Sequence, residues 1–260
     1  MIPTKSYGLQ NETRQYLRRL YAYGRELNSS DVADIDNFIK GLKQLNLWQN
    51  IVCWPLRKQH NIGTATKVLS IGGAGTYDGT MFNSPTWGEI GMTFSRTTGA
   101  YIAVTRPIGS SPAAEYSIFS VHCNFVQDAL YRALWIGRDA SNDRMFSRTT
   151  GGDAYAAGTV AVSAPTSING NHSTALVASS GSISKAVAAY KDGIVSTSTT
   201  GTNTGINTIY NIGGLSNDSS RSFGYEISFN AAFTKALKAN EVILLHNLIK
   251  TTIGKGLELP

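Results

Sequence analysis

The sequence predicts a mainly β protein, a two-sheet antiparallel jelly-roll sandwich with an N-terminal helical hairpin and a short C-terminal helix. Apolar residues at helical spacing are confined to the two ends of the chain, whereas short apolar runs separated by Gly, Asn, Ser and Pro fill the middle. Only 15% of the residues are charged, which is typical of a turn-rich β protein and not of a helical bundle. The length of 260 residues suits one sandwich with a sizeable core.

The first helix is predicted within residues 11–24. Gly24 is placed to end this helix, because glycine readily adopts the left-handed conformation found just after helices. Four apolar positions recur at helical spacing before it: Tyr16, Leu17, Leu20 and Tyr21.

The second helix is predicted to begin after Ser30, a natural N-cap, with Asp31 and Asp34 in the first turn, where the helix dipole favours acids. Its apolar stripe comprises Val32, Ile35, Phe38, Ile39, Leu42 and Leu45. We therefore expect residues 1–50 to form a helical hairpin and residues 51–260 to form the sandwich. The stripe must pack either on the rest of this chain or on a neighbouring subunit.

Short runs that favour strands follow from Trp48 onward. The candidates are "TGAYIAVTR", "YSIFSVHC", "RALWIGR", "DRMFSRT", "STALVASS", "KAVAAYK", "GIVSTST", "TIYNIGG" and "YEISFNAAFT". Asp192 and Gly193 separate two of these runs and predict a two-residue type I′ turn, which requires positive φ at both positions. Asp192 is alternatively a metal ligand or a catalytic carboxylate, but no second acidic residue lies near it in sequence.

The last element is a predicted helix within residues 238–253. Gly254 follows as its stop signal. The apolar face of this helix comprises Val242, Leu245, Leu248 and Ile249.

Cysteine and histidine usage argues against a zinc site. Cys53 and Cys123 are too few for a disulfide framework, and we expect two buried free thiols, with a single bridge as the alternative. The four histidines are scattered and no Cys-x-x-Cys pair occurs. We therefore predict no bound metal.

The net charge of +6 is concentrated in residues 1–60, which carry nine Lys or Arg against five Asp or Glu, a balance of +4. No basic run is interleaved with aromatic residues, so we expect a solvated helix face and no specific nucleic-acid partner. That face carries Arg14, Arg18, Arg19 and Arg25. No apolar run approaches the length of a membrane span, and the N-terminal residues lack the apolar segment of a secretion signal. We therefore expect synthesis in the cytoplasm without a signal peptide and no contact with a membrane.

The order of the C-terminal segments resembles that of the concanavalin A-like, laminin-G-like jelly-roll module. The segments that carry the resemblance lie within residues 170–253 and read "AYKDGIV", "IYNIGG", "FGYEISFNAAFTKAL" and "KANEVILLHNLI". Versions of this module in bacteriophage virion proteins have a helical hairpin first, followed by segments similar to "LNLWQNIVCWPL" and "MFNSPTWGEIGMTFSRTTGAYI". This second likeness extends the resemblance to nearly the whole chain.

The resemblance implies a β-sandwich that binds glycans or proteins, often displayed on a virus particle. We therefore expect a non-enzymatic virion structural protein, a capsid decoration or tail component, with other virion proteins as partners and a homo-oligomeric state. A lectin module for host glycans is the alternative. Calcium is possible by the resemblance only; Asp143 and Asp218 lie in its two most polar loops, which plain turns explain equally well.

A polysaccharide-degrading enzyme is a third hypothesis, and the residue pattern argues against it. Glycoside cleavage requires two carboxyl groups at a fixed separation, yet the carboxylates after residue 50 are single. The closest pair, Asp139 and Asp143, has the composition of a polar loop, and no G-x-S-x-G motif occurs. We predict no catalytic residues.

Glycan binding would use aromatic side chains near strand ends, and for this role we predict Trp87, Tyr155 and Tyr210. Trp135 and Phe223 are instead expected in the core, because aromatic residues in strands usually pack inward. The hairpin carries residue types enriched at interfaces, which predicts an assembly surface. Its members are Tyr16, Arg18, Arg19, Tyr21 and Tyr23. Packing of the same helices within the chain is the alternative.

Overall fold

In the computed structural model, two helices form the N-terminal hairpin. Helix α1 spans Asn11–Ala22 and is followed by Gly24 with a φ of +74°, as predicted; helix α2 spans Ser29–Gln44. The predicted N-cap was wrong by two residues, because the Asn28 side chain accepts the Asp31 N–H at 2.8 Å. Ser30 instead donates its hydroxyl to Asn28. The structure describes residues 8–105, 115–126, 132–138, 143–148, 153–157, 160–164, 169–178, 185–201, 209–215, 219 and 222–260.

Sixteen described strands follow a single 3₁₀ turn at residues 48–50. They are β1 (Ile51–Pro55), β2 (Lys67–Val68), β3 (Gly79–Phe82), β4 (Thr86–Trp87), β5 (Met92–Thr93), β6 (Tyr101–Val104), β7 (Tyr116–Phe125), β8 (Arg132–Arg138), β9 (Asp143–Arg148), β10 (Asp153–Ala157), β11 (Val160–Ala164), β12 (Gly170–Ala178), β13 (Lys185–Lys191), β14 (Ile194–Gly201), β15 (Ile209–Ile212) and β16 (Glu226–Phe233). Helix α3 spans Ala239–Thr251. Each of the strand runs predicted from the sequence overlaps one of these strands, although several runs extend a few residues beyond the strand.

The strands form two antiparallel sheets, which confirms the predicted fold class. The first sheet has the order β14–β13–β12–β7–β16–β5–β4, with β1 also paired to β16. The second sheet has the order β11–β10–β9–β8–β15–β6–β3–β2. Neighbouring strands are often distant in sequence, as with β7 and β16, so the sandwich depends on long-range pairing.

The turn between β13 and β14 has the predicted geometry. Lys191 pairs with Ile194, and the two residues between them, Asp192 and Gly193, have φ values of +51° and +82°. Both positive values fit a type I′ turn. A Cβ at Gly193 would lie 2.8 Å from the Cα of Ile243 in α3, so close packing also requires glycine here.

The molecule has three layers: the second sheet, the first sheet and the helices. Side chains that alternate along the strands of the first sheet contact the other two layers. In β16, Ile227 and Ala232 face the second sheet, whereas Phe229 and Phe233 face the helices. The first sheet is therefore buried on both faces. Its outer face is covered by an apolar layer from the three helices that includes Tyr16, Leu20, Ile35, Phe38, Ile39, Leu42, Val242, Leu245 and Ile249.

The hairpin is bound to the sandwich by polar contacts as well as by apolar packing. The Tyr16 hydroxyl donates to the backbone oxygen of His60 at 2.8 Å, and Tyr16 is buried. The Arg19 guanidinium donates to the Ser70 oxygen at 2.8 Å and to the Asp78 carboxylate. The apolar stripe thus packs within the chain. Tyr16 was therefore wrongly predicted as an assembly residue, and Arg19 is bound within the chain.

Hydrogen bonds from Arg57 and Asn171 fix the segment after α3 against the first sheet and the loop that follows β1. The buried Arg57 guanidinium donates to the backbone oxygens of Ile253 and Lys255, at 3.0 and 2.9 Å. The Asn171 amide donates to the Leu257 oxygen at 2.7 Å. These contacts join the C-terminal residues to the loop after β1 and to the start of β12.

The two cysteines, Cys53 and Cys123, are free and buried, as expected. The thiol of Cys53 contacts the Ile71 oxygen at 3.2 Å, and that of Cys123 contacts the Ser228 hydroxyl at 2.9 Å. Burial raises the pKa of Cys123 to about 11, so this thiol stays protonated at neutral pH.

None of the helices among the described residues is long and apolar enough to cross a membrane.

His60 is expected to make the stability of the fold depend on pH. Burial, together with the positive charges of Arg57 and Lys255, lowers the pKa of His60 to about 3, and its Nδ1 has no hydrogen-bond partner. The unfolded chain takes up a proton at this imidazole near pH 6.5, but the folded chain does not. The free energy of unfolding should therefore fall as the pH drops below 6.5, by about 2 kcal/mol at pH 5.

Urea unfolding at neutral pH and at about pH 5 measures this effect. His60→Gln keeps the backbone oxygen that accepts the Tyr16 hydroxyl but removes the titrating ring. The variant should lose most of the difference in stability between the two pH values. An unchanged difference would show that other groups cause it.

Candidate functional site

The outer face of the second sheet is the sheet face that the helices leave uncovered. In β6, Ile102 and Val104 point into the core between the sheets. Alternation therefore places Tyr101 and Ala103 on the opposite, outward side. The same argument applies in β15, where Tyr210 and Ile212 lie in the core and Asn211 faces outward.

A row of side chains crosses this outer face on four adjacent strands. Asn211 pairs with Ala103, Ala103 with Thr80, and Thr80 with Lys67. The Lys67 ammonium donates to the Thr80 hydroxyl at 3.0 Å. Lys67, Thr80 and Ala103 are half-buried, whereas Asn211 is buried, so the accessible part of the row lies on β2 and β3.

An aromatic pair lies beside this row. Phe82 pairs with Tyr101 across β3 and β6, and their rings stack at a centroid distance of 5.1 Å with 8° between their planes. Phe82 is 43% exposed, whereas Tyr101 is only 8% exposed. Burial raises the pKa of the Tyr101 phenol, so the ring is neutral at physiological pH.

The loop after β3 fixes the position of the aromatic pair. The Asn83 amide donates to the Gly99 oxygen at 3.1 Å, and the Thr98 hydroxyl donates to the Asn83 oxygen at 2.9 Å. These bonds join the end of β3 to the turn before β6. Phe82 and Tyr101 are therefore carried by two segments that are held to each other.

Trp87 does not lie on this face. It belongs to β4 at the edge of the first sheet, is half-buried, and packs against both apolar cores. Its indole N–H donates to the Ala65 oxygen at 3.3 Å. The Trp87 side chain thus packs at the edge of the first sheet, where it contacts both apolar cores.

Tyr210 was wrongly predicted as a glycan-binding residue. Its ring is fully buried between Trp54 and Trp135, at centroid distances of 5.5 and 5.8 Å. Its hydroxyl donates to the Asn230 side-chain oxygen at 2.6 Å, and the Asn230 amide donates to Ser120 at 2.6 Å. Tyr210 therefore links the two sheets through the core.

The remaining aromatic predictions have mixed outcomes. Trp135 and Phe223 are buried in the core, as predicted. Tyr155 lies in β10, in register with Phe146 and Val162, and its side chain is outside the described part of the structure.

A second cluster of side chains with carboxylate, imidazole and hydroxyl groups surrounds the Asp192 turn. One Asp192 carboxylate oxygen contacts the His172 Nδ1 at 2.7 Å, and the other accepts the Ser173 N–H at 3.0 Å. Burial of Asp192 raises its pKa, but the bonds from His172 and Ser173 outweigh burial and hold the pKa below the usual value. The carboxylate thus binds β12 to the turn, in addition to the turn geometry predicted from the sequence.

Ser173 and His246 lie next to this pair and resemble part of a nucleophilic site. The Ser173 hydroxyl and His246 Nδ1 are 2.7 Å apart, and His246 Nε2 is 2.8 Å from the Pro260 oxygen. Both side chains are buried, at 1% and 2% exposure. A substrate has no access to this hydroxyl, so we assign the contact to the packing of α3 on β12.

The described residues contain no group of three or more His, Cys, Asp or Glu that could hold a metal ion. Of the two acids considered for calcium, Asp143 is the first residue of strand β9 and does not lie in a loop. Asp218 and Asp139 lie outside the described residues.

The outward-facing residues of β6 and β15 were not selected from the sequence. "TGAYIAVTR" and "TIYNIGG" were predicted as strands, and in the second of them the polar Asn211 lies between the apolar Tyr210 and Ile212. That alternation is the signal for a side chain on the opposite face. It does not say which face is covered by another layer.

Comparison with solved structures shows the same fold in larger proteins. The binding domain of Paraclostridial Mosquitocidal Protein 1 is 13% identical, with a TM-score of 0.53 over 79% of this chain and 53% of that one. Trypanosoma rangeli sialidase in complex with sialic acid is 12% identical, with a TM-score of 0.54 over 85% of this chain and 39% of that one. A botulinum neurotoxin type C structure, from work on its interaction with two ganglioside molecules, is 10% identical, with a TM-score of 0.54 over 78% and 52%.

At these identities the likeness shows the β-sandwich fold alone. This chain spans about half, or less, of the length of each of those three proteins. No protein-family model matches the chain, and no curated protein matches it in sequence.

Proposed function

We propose that this chain is a non-enzymatic carbohydrate-binding β-sandwich whose binding surface is the outer face of the second sheet. The observation that carries the proposal is the stacked pair of Phe82 and Tyr101, partly exposed beside a row of polar side chains. Carbohydrate sites commonly combine an aromatic surface for the C–H face of a sugar with a few fixed hydrogen-bonding groups. Lys67 and Thr80, both half-buried, supply such groups on this face.

The chemistry of the same face supports a binding role over catalysis. Its described side chains are Lys67, Thr80, Phe82, Tyr101, Ala103 and Asn211, and none of these is a carboxylate. Glycoside hydrolysis in most enzymes requires two carboxyl groups flanking the bond. Asp78, the acid nearest to this region in sequence, is bound to Arg19 and Ser70.

The proposal is tested with an array of neutral and sialylated oligosaccharides. Sialylated probes are included because solved structures of similar fold were studied with sialic acid and with gangliosides. We expect Phe82→Ala to reduce affinity for the bound oligosaccharide about tenfold, because truncating an aromatic anchor typically costs more than 1 kcal/mol.

Tyr23→Ala is the matched control, since it removes an exposed aromatic ring from the helical layer on the other side of the molecule. Its binding should equal that of the wild type. Failure of the wild-type protein to bind any probe on the array would contradict the proposal. Hydrolysis of a bound probe would contradict its non-enzymatic part.

A second candidate role is attachment to a virion as a structural component, as the resemblance of the sequence implies. The favouring observation is the outward face of α1 and its C-terminal end, where Arg18, Tyr21 and Tyr23 are all exposed. Arg and Tyr are enriched at protein interfaces. Under this proposal the chain is displayed on a phage-like particle and contacts other virion proteins or further copies of itself. Co-purification with assembled particles tests the idea.

A further inference from the structure

The positive charge of Lys67 lies on the proposed binding face. Val68, the next residue of β2, is in the core, so Lys67 faces outward beside Thr80 of β3. The Lys67 ammonium donates to the Thr80 hydroxyl at 3.0 Å, and no carboxylate among the described residues forms an ion pair with it. The side chain is half-buried, and the bond to Thr80 gives its charge a fixed place on the sheet.

Three other half-buried lysines in the described part of the chain bind an acid. Their ammonium groups lie 2.5 or 2.6 Å from a carboxylate oxygen: Lys43 with Glu12, Lys58 with Glu89, and Lys235 with Glu241. Asp78, the acid nearest to Lys67 in sequence, is bound instead to Arg19 and Ser70. The charge of Lys67 therefore differs from those of the other three in that this acid does not compensate it.

Lys67 and Thr80 keep hydrogen-bond donors that a ligand can use. An ammonium has three N–H groups, and the bond to Thr80 uses one of them. A hydroxyl that accepts from lysine retains its own proton to donate, and Thr80 is only half-buried. Two adjacent donors, one of them charged, match the oxygens of an anionic group, because charge-assisted hydrogen bonds are stronger than neutral ones.

These donors lie close to the exposed aromatic ring. Phe82 follows Thr80 by two residues on β3, and side chains at this spacing face the same side, about 7 Å apart. Lys67 is the diagonal neighbour of Phe82 across β2 and β3, at a similar spacing of about 7–8 Å. A sugar ring stacked on Phe82 therefore places a substituent at its edge within reach of both donors.

The charge of the second sheet as a whole favours an anionic ligand. Its described strands carry five Lys or Arg against two Asp, a balance of +3. The basic residues are Lys67, Arg132, Arg138, Arg144 and Arg148, and the acidic residues are Asp143 and Asp153. A region with an excess of one charge raises the local concentration of oppositely charged ligands.

We propose that Lys67 and Thr80 form an anion subsite beside Phe82, and that the preferred ligand is an acidic sugar. The sugar ring stacks on Phe82, and its carboxylate or sulfate accepts hydrogen bonds from the Lys67 ammonium and the Thr80 hydroxyl. This inference rests on the proposed carbohydrate-binding function. It gives that function a ligand class and a specificity-determining residue, Lys67.

Matched pairs of probes that differ in the anionic group test the subsite by calorimetric titration of the full chain. The pairs are sialyllactose with its methyl ester, trigalacturonic acid with its methyl ester, and sulfated with unsulfated N-acetyllactosamine. We expect the acidic member of at least one pair to bind about tenfold or more tightly than its neutral partner, because hydrogen bonds to charged groups are the stronger ones. The pair with the largest ratio identifies the anion as a carboxylate or a sulfate.

Lys67→Met removes the charge but keeps a side chain of similar length. Affinity for the acidic probe should fall about tenfold and affinity for its neutral partner should stay the same, whereas Lys67→Arg should retain most of the preference. Raising the salt concentration from about 0.05 to about 0.5 M should weaken binding of the acidic probe by the wild type but not by Lys67→Met, because salt screens the charge. Lys40→Met changes an exposed lysine of α2 and is the matched control, so it should bind like the wild type.

Three results would contradict the inference. Equal affinity for both members of every pair, with binding lost in Phe82→Ala, would overturn the anion subsite alone. Loss of both members in Lys67→Met, together with a lower melting temperature, would show that Lys67 supports the fold of β2 and would also overturn the subsite. A wild-type chain that binds none of these probes and none on the array described above would overturn both proposals.

Discussion

Replacing Phe38 by alanine is expected to lower the free energy of unfolding by about 3–5 kcal/mol. Phe38 is the centre of the contact between α2 and the first sheet and is fully buried. Its ring packs edge-on against Phe229 of β16 at 5.6 Å, and Phe229 in turn packs against Phe119 of β7 at 6.4 Å. Truncation would leave a cavity between the helical layer and two central strands. Urea unfolding followed by tryptophan fluorescence measures the change.

Lys40→Ala is the matched control, because Lys40 is an exposed residue of the same helix. Its effect should remain within about 0.5 kcal/mol. We expect a single unfolding transition for both variants, since the hairpin and the sandwich share one apolar core. Two separate transitions in Phe38→Ala, with the sandwich as stable as in the wild type, would show that the hairpin is a detachable anchor.

Asn230→Leu is expected to cost about 2–4 kcal/mol, although leucine is apolar and fills the space. The substitution leaves the hydroxyls of Tyr210 and Ser120 buried without their present partner, and each such group costs about 1–3 kcal/mol. Tyr210→Phe should cost less, because it leaves one Asn230 oxygen without its donor. Thermal and urea unfolding of both single variants measure these losses.

The double variant, Tyr210→Phe with Asn230→Leu, separates the contribution of the hydrogen bond to stability from the contribution of packing. If Tyr210 and Asn230 act as one unit across the two sheets, the double variant should be more stable than the sum of the single losses predicts. A coupling energy of about 0.5–3 kcal/mol is the expected range. Strictly additive losses would mean that the bond contributes nothing beyond the burial of each side chain.

Local chemistry explains why much of the fold could be predicted from the sequence. The stripe from Ile35 to Leu42 follows the helical repeat, and strand runs such as "YSIFSVHC" are bounded by turn residues. The Asp192–Gly193 turn was predicted from two residues alone. In each case the decisive interaction lies within a few residues along the chain.

The candidate site could be predicted only in part, for reasons visible in single residues. Tyr210 stands beside a polar residue, Asn211, in a short run that ends in two glycines, which also fits a surface aromatic, but its strand lies at the centre of a sheet. Sequence alternation assigns Tyr210 and Asn211 to opposite faces without saying which face another layer covers. The contact of Asp192 with His172 was also missed, because the two residues are 20 positions apart.

The sequence by itself determined the helical hairpin, the succession of strands, the Asp192–Gly193 turn and the C-terminal helix, because periodicity and turn chemistry act over short distances. Only the tertiary structure decided that the three helices cover the first sheet and leave the outer face of the second sheet uncovered. That arrangement places Tyr16 and Tyr210 in the interior and brings Phe82, Tyr101 and Asn211 together. It depends on pairing between distant strands, and no local pattern encodes which partners are chosen.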